Sequence, residues 1–85
     1  MQTIYKYTLT HGIDNEIEMH QGTIVRRVAM QGSSLCIWAE LDNTARKSKR
    51  TFRIIGTGHL IPENGHYLGS CDDGPFVWHV LELIA

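Results

Sequence analysis

The chain has 85 residues, of which 42% are hydrophobic and 20% are charged, and its formal net charge is -1. This length allows one small core, and no apolar run approaches the roughly 20 residues that cross a bilayer. A near-neutral charge argues against a nucleic-acid packaging protein, because such proteins are strongly basic. The composition therefore predicts a single domain over residues 1–85, with no membrane span.

The first residues and the cysteines indicate the compartment. Residues 1–7 contain neither a basic stretch nor an apolar stretch of the kind that begins an export signal. The two cysteines, Cys36 and Cys71, are then expected to be reduced thiols and not a disulfide framework. Both features predict a protein that is not exported.

Strand patterns run through the whole chain. No helical i, i+3, i+4, i+7 pattern of apolar residues persists for ten residues, and turn signals recur every 8–12 residues. This spacing predicts an all-β fold, a small antiparallel sandwich or barrel of six to seven strands. The predicted strands are Ile4–Leu9, Glu16–Met19, Thr23–Gln31, Leu35–Leu41, Arg50–Ile55, His66–Cys71 and Phe76–Ile84.

The third predicted strand, Thr23–Gln31, is followed by a tight Gln-Gly-Ser-Ser turn. Simple alternation places Ile24 and Val28 on one face of this strand and Val25 on the other. The turn predicts a hairpin with the next strand.

Two predicted strands are apolar on both faces, which requires a cover for the second face. In the Leu35–Leu41 strand Trp38 lies opposite the main apolar row, and the Phe76–Ile84 strand has apolar residues of both parities. Either a loop of the same chain or another subunit covers that second face. Because little chain follows the last strand, we expect a second copy, in a homodimer or a higher homo-oligomer, with Trp78 and Leu81 at the interface.

Several short segments resemble an uncharacterised family of short phage and prophage proteins, and the resemblance spans nearly the whole chain. It implies a phage accessory protein that acts in the host bacterial cytoplasm, with a host protein as partner. The segments that carry it are Thr3-Ile4-Tyr5-Lys6-Tyr7, Leu35-Cys36-Ile37-Trp38-Ala39, Arg50-Thr51-Phe52-Arg53-Ile54, Gly56-Thr57-Gly58-His59, Tyr67-Leu68-Gly69 and Val77-Trp78-His79-Val80.

Basic residues are concentrated in and after the polar connector at 42–49, in which a short helical turn is an open alternative. A local basic patch can bind phosphates or an acidic protein surface and can speed association. The ordinary alternative is a mobile, solvated loop. The candidate binding residues are Arg46, Lys47, Lys49, Arg50 and Arg53.

The segment Gly56-Thr57-Gly58-His59 is a second candidate binding site. Two glycines around a small hydroxyl residue let a ligand approach the backbone, and successive N–H groups there can form an anion nest. No helix follows to add a dipole, and the alternative is a bulge or sharp bend that ends a strand. Of these two interpretations, we favour the bulge or sharp bend.

Catalysis and metal binding find little support in the sequence. His59, His66, Cys71 and His79 are zinc-type ligands, but their spacing matches no zinc motif, so no metal and no cofactor are expected. Cys71 is followed by two acids, which disfavour a reactive thiolate. No nucleophile–base pair is evident either, and we expect no enzymatic activity.

The sequence leaves several functions open. The leading hypothesis is a non-enzymatic, phage-encoded binding protein that inhibits or redirects a host (defence) component. An alternative is a protein that sequesters a nucleotide or cyclic nucleotide, with Gly56–His59 and Arg50 or Arg53 at the phosphates and Trp38 or Trp78 at the base. The remaining alternatives are a nucleic-acid binder that uses the basic 46–53 segment and a minor virion component.

Overall fold

A computed structural model describes all 85 residues and contains seven antiparallel strands and no helix. None of its elements is a helix long and apolar enough to cross a membrane. The strands are β1 (Gln2–Leu9), β2 (Asn15–His20), β3 (Ile24–Gln31), β4 (Ser34–Asp42), β5 (Lys47–Gly56), β6 (Gly65–Asp73) and β7 (Phe76–Leu83).

The strands form two sheets, one in the order β1-β4-β3 and the other in the order β2-β5-β7-β6. The two sheets pack face to face around fully buried side chains, among them Met19, Ile37, Phe52 and Val80. This arrangement is sandwich-like, and it confirms the predicted all-β, antiparallel fold. The predicted hairpin of β3 and β4 is present as well.

A bulge in β3 corrects the predicted faces of that strand. Val25 pairs with Ala39 but Arg27 pairs with Trp38, so one extra residue lies between two successive pairs. The extra residue puts Val25 and Val28 on the same side, against the core, and leaves Ile24 48% exposed. The alternation of the sequence missed this because a bulge shifts the period by one residue.

The connector between β4 and β5 is shorter than expected and contains no helical turn. The Asp42 carboxylate accepts hydrogen bonds from the Thr44 backbone N–H at 3.0 Å and from its hydroxyl at 2.7 Å, which closes a tight turn. β5 then begins at Lys47, where Lys47–Lys49 pair with β2. The basic residues of the connector therefore lie largely on a strand and not in a mobile loop.

The outer face of β7 is covered by residues 57–64 of the same chain. A Cβ atom built on Gly65 would lie 3.0 Å from Ile61 Cγ2 and 3.3 Å from Leu81 Cδ1, so this segment closes directly over the strand. The Ile84 N–H donates to the Asn64 carbonyl at 2.9 Å and holds its far end. Leu81 is consequently buried by its own chain and has no surface to offer a second copy.

The second face of β4 is covered within the chain too. The Arg27 guanidinium lies 5.4 Å from the centre of the Trp38 ring, and the Thr8 hydroxyl lies 3.6 Å from Cys36 Sγ. The chain therefore supplies part of the cover that these strands need, while Val77 on the outer face of β7 stays 39% exposed. A homo-oligomer stays a prediction, with Trp78 as the remaining residue of the proposed interface.

Arg50 and Glu82 form a half-buried ion pair between β5 and β7. Arg50 Nε donates to Glu82 Oε2 at 2.6 Å and Nη2 donates to Oε1 at 2.7 Å, while Nη1 donates to the Thr23 carbonyl at 2.6 Å. The hydrogen bonds that Arg50 donates to the Glu82 carboxylate raise the pKa of the Arg50 guanidinium above its usual value. The Arg50 side chain therefore joins β5, β7 and the turn between β2 and β3.

Replacement of Arg50 is therefore expected to destabilise the fold. Arg50→Ser leaves the Glu82 carboxylate, 11% exposed, without its partner, and we expect the free energy of unfolding in urea to fall by about 3 kcal/mol. The control is Lys49→Ser, whose side chain is 59% exposed in its ion pair with Glu16 and should change that free energy by less than ~1 kcal/mol. Equal stability of the two variants would contradict a structural role for Arg50.

Candidate functional site

An open groove of about 730 Å³ lies at one end of the second sheet. We call it the edge groove. Its sides are the β1–β2 turn at His11–Asp14 and the residues His59 and Leu60, its floor is the end of β5 at Arg53–Gly56, and Trp78 of β7 closes it.

The groove exists because β2 does not run alongside the whole length of β5. The register of the two strands runs only to the pair Asn15–Phe52, so the last four residues of β5 have no strand beside them on this side. The β1–β2 turn instead bends away from the sheet, and Gly12, with φ of 80°, adopts the left-handed conformation that the turn needs.

The Asn15 side chain holds this turn in place. Its Oδ1 accepts a hydrogen bond from the Thr10 N–H at 2.8 Å, and its Nδ2 lies 3.0 Å from the Thr10 carbonyl oxygen, 3.3 Å from that of Ile13 and 3.4 Å from that of Phe52. Asn15 is 9% exposed, so these contacts replace water that the amide would otherwise bind. The shape of the groove is thus set by one buried amide.

An aromatic cluster forms the closed end of the groove. The His11 ring meets the Trp78 ring edge-on with centroids 4.6 Å apart, and Phe76 stacks on Trp78 at 5.6 Å. The Trp78 indole N–H donates to Asp73 Oδ2 at 3.1 Å, which fixes the orientation of the ring. A flat apolar surface is therefore presented beside the floor of the groove.

The segment Gly56-Thr57-Gly58-His59 forms a tight turn at the end of β5. The Gly56 carbonyl accepts a hydrogen bond from the His59 N–H at 3.1 Å, and Gly58 has φ of 93°. The Gly56 N–H donates to His59 Nδ1 at 3.1 Å, so one donor of the expected anion nest is already bonded within the chain. The geometry is the sharp bend that the sequence analysis favoured over a phosphate-binding loop.

Thr57 belongs to a second, smaller pocket of about 190 Å³ behind this turn. Its Oγ1 lies 3.4 Å from the Val77 carbonyl, to which it donates, and 3.0 Å from His79 Nε2. The Tyr67 hydroxyl lies 2.8 Å from His79 Nδ1 and can donate to it. These contacts fasten the loop that carries Thr57 to β6 and β7.

One rim of the edge groove carries a paired charge. Arg53 Nε donates to Asp14 Oδ1 at 2.7 Å, and Nη2 donates to Oδ2 at 3.1 Å. These hydrogen bonds lower the pKa of the Asp14 carboxyl. Because the two charges neutralise each other, this rim attracts neither anions nor cations strongly.

The basic residues singled out in the sequence do not form one free patch. Lys49 binds Glu16 at 3.1 Å, Arg50 turns to the opposite face of β5 and binds Glu82, and Arg53 binds Asp14. Arg46 and Lys47 are exposed and form no ion pair. Acids on neighbouring elements, distant in the sequence, account for this neutralisation.

The side chains suited to reactive chemistry are dispersed or blocked. No group of three or more His, Cys, Asp or Glu residues is placed to hold a metal ion. Cys36 is buried, and burial together with the charges of Asp73 and Asp72 raises the pKa of the Cys71 thiol. A raised pKa keeps that thiol protonated and unreactive near neutral pH.

The sequence predicted four of the eleven residues that line the edge groove. It singled out Arg53, Gly56, His59 and Trp78, and the structure brings all four to the groove. The other side was not predicted, because His11 and Ile13 lie between two predicted strands, Ile4–Leu9 and Glu16–Met19. An isoleucine in a glycine-containing turn, 57% exposed here, was the available signal.

Comparison with known proteins identifies a family and nothing closer. Residues 1–85 match the model of the family described as a domain of unknown function, DUF7352, and the chain belongs to that family. This confirms the expected membership of an uncharacterised family. No curated protein and no solved structure matches the chain.

Proposed function

We propose that this member of the DUF7352 family is a non-enzymatic binding protein whose edge groove engages a partner protein. The phage and prophage resemblance supports a finer version, in which the protein is phage-encoded, acts in the bacterial cytoplasm, and inhibits or redirects a host component. The groove supplies the physical basis for the binding, and the resemblance supplies the setting.

One observation carries the proposal. The two walls of the groove present large apolar side chains to solvent, Ile13 at 57% exposure and Leu60 at 91%. Apolar side chains grouped around a concave, aromatic-lined surface are typical of binding sites, whereas isolated ones are ordinary. The groove, and not the neutralised basic segment, is the surface that best fits a partner.

The polar groups of the groove favour binding over catalysis. His59 Nδ1 accepts a hydrogen bond from Gly56, so that nitrogen is not available as a general base. The Arg53 guanidinium and the Asp14 carboxylate bind each other. Most of the exposed lining of the groove is apolar, which suits recognition of the shape of a partner.

The decisive variants remove apolar surface from the groove walls. We expect the double variant Ile13→Ser/Leu60→Ser to weaken capture of a bacterial cytosolic protein at least tenfold, because each side chain buried at an interface contributes about 1.5–3 kcal/mol. Immobilised protein and quantified capture from a lysate provide the measurement. Both residues are exposed, so the fold should be unaffected.

A matched control lies on the other sheet. Ile4 is 61% exposed and Ile24 is 48% exposed, on the outer face of the β1-β4-β3 sheet and away from the groove. Ile4→Ser/Ile24→Ser should retain capture at the wild-type level. If this control loses the partner and the groove variant retains it, the binding site has been placed on the wrong sheet.

Sequestration of a nucleotide is the second candidate, and a specific observation favours it. Four residues of that hypothesis, Arg53, Gly56, His59 and Trp78, line one groove, while Trp38 lies on the other sheet. The groove also has a volume typical of small-molecule sites. Against it, a phosphate would have to displace Asp14 from Arg53.

A panel of nucleotides and cyclic nucleotides separates the two candidates. The partner-protein proposal predicts no change in melting temperature or tryptophan fluorescence at 1 mM of any of them. A ligand present at 100 times its Kd would add about 2.7 kcal/mol and raise the melting temperature of so small a domain by roughly 10 °C or more. Such a shift, lost in Trp78→Ala, would replace the first candidate with the second.

Two further proposals have weaker support. Nucleic-acid binding through the 46–53 segment would depend on Arg46 and Lys47, since the other basic residues are engaged in ion pairs. A homodimer or higher homo-oligomer would have to use Trp78 and the exposed Phe76, because Leu81 is buried.

A further inference from the structure

We propose that the edge groove receives an extended segment of the partner, which adds as a new strand alongside β5 and hydrogen-bonds to the backbone of Ile54. The inference rests on the proposed function and specifies its mode of binding. It is carried by the direction of the backbone groups at the open edge of β5.

Successive residues of a strand direct their N–H and C=O groups to opposite sides. In β5 the backbone N–H and C=O groups of the even-numbered residues point toward β2. The Arg46 carbonyl, just before the strand, accepts a hydrogen bond from the Gln21 N–H at 2.7 Å, and the Phe52 carbonyl lies 3.4 Å from Asn15 Nδ2. By the same alternation, the N–H and C=O of Ile54 point away from β7 and into the groove.

Ile54 is thereby a rigid, unpaired backbone position. The pairing of β2 with β5 extends no further than Phe52. Outside the regular ladders of the sheets, no backbone hydrogen bond involves the Ile54 N–H or C=O. Its side chain is 8% exposed and packs in the core, which holds the two backbone groups still. A fixed donor and acceptor of one residue form the hydrogen-bonding pair that an added antiparallel strand takes.

His59 covers the next such position. Gly56 has the same parity as Ile54, but both of its backbone groups are bonded to His59, the N–H through Nδ1 and the carbonyl through the backbone N–H, each at 3.1 Å. Proteins commonly block open strand edges in this way, because an uncovered edge pairs with other chains. The side chain of His59 is exposed and can swing aside, which would release the Gly56 N–H for an incoming strand.

The walls define the chemistry of the occupant. A strand beside Arg53–Gly56 would span about 13 Å, or four residues. Its alternate side chains would point to the two faces of the sheet, one toward Trp78 and the other toward the loop that carries Leu60, and both environments are apolar. We therefore expect a short extended peptide segment with large apolar residues and no net-charge requirement, since Arg53 and Asp14 neutralise each other.

The free protein provides the first test, by amide hydrogen exchange measured with NMR. Ile54 and Ile55 are both 8% exposed, yet only Ile55 has the parity that bonds to β7. We expect the Ile54 amide to exchange at least tenfold faster than that of Ile55. Equal protection of the two amides would overturn the inference and leave the proposed function standing.

The second test uses peptides as the probe. A library of twelve-residue peptides is selected against the protein, and the tightest binder is resynthesised with one N-methyl group at each position in turn. We expect methylation to abolish binding at alternate positions only, as strand pairing requires, and the Ile54 amide to become protected at least tenfold on binding. A library that yields no binder, or methylation effects without period two, would contradict strand addition.

The variant His59→Ala tests the cover, with His66→Ala as control because His66 is exposed on β6 and does not line the groove. We expect His59→Ala to speed exchange of the Gly56 amide at least tenfold and to tighten peptide binding, while the control changes neither. Weaker peptide binding by His59→Ala would contradict the covering role. If Ile13→Ser/Leu60→Ser abolishes partner capture but the Ile54 amide is unaffected by binding, the groove is correct and the strand mode is wrong.

Discussion

The functional surface of this protein depends on where one strand pairing stops. The buried amide of Asn15 bonds to both backbone groups of Thr10 and contacts the carbonyls of Ile13 and Phe52, so β2 joins the sheet only from that residue onward. Had β2 paired with β5 for four more residue pairs, Ile54 and Gly56 would have ordinary partners and no groove would exist. The hydrogen bonds of this one amide thus leave the last residues of β5 as an open edge of the sheet.

Stability and binding are assigned to different parts of the fold. The ion pair of Arg50 with Glu82 joins two strands of one sheet, and the loop that closes over Leu81 covers part of the outer face of the same sheet. The turn at Gly56–His59 contributes to both, because it starts the covering loop and blocks the last position of β5. This division lets the groove walls, with Ile13 and Leu60, stay apolar and exposed without a cost to the core.

The sequence predicted the features that arise from local pattern. Alternation and turn residues were sufficient for the all-β class, for seven strands near their observed places, and for the hairpin at Gly32. They were insufficient wherever a distant residue decided the outcome. The bulge at Arg26 shifted a face, acids on other elements neutralised the basic segment, and Ile61 covered a strand that seemed to need a second subunit. The groove itself is a consequence of register, which a single sequence does not contain.

The central claim is that the edge groove is where the protein meets its partner, and site-specific photo-crosslinking in bacterial cells tests it most directly. A photo-reactive amino acid is placed at Leu60 in one variant and at Ile4 in another, both highly exposed but on different sheets. The account predicts a discrete cross-linked protein adduct from position 60 and none from position 4. An adduct from position 4, with none from position 60, would contradict it.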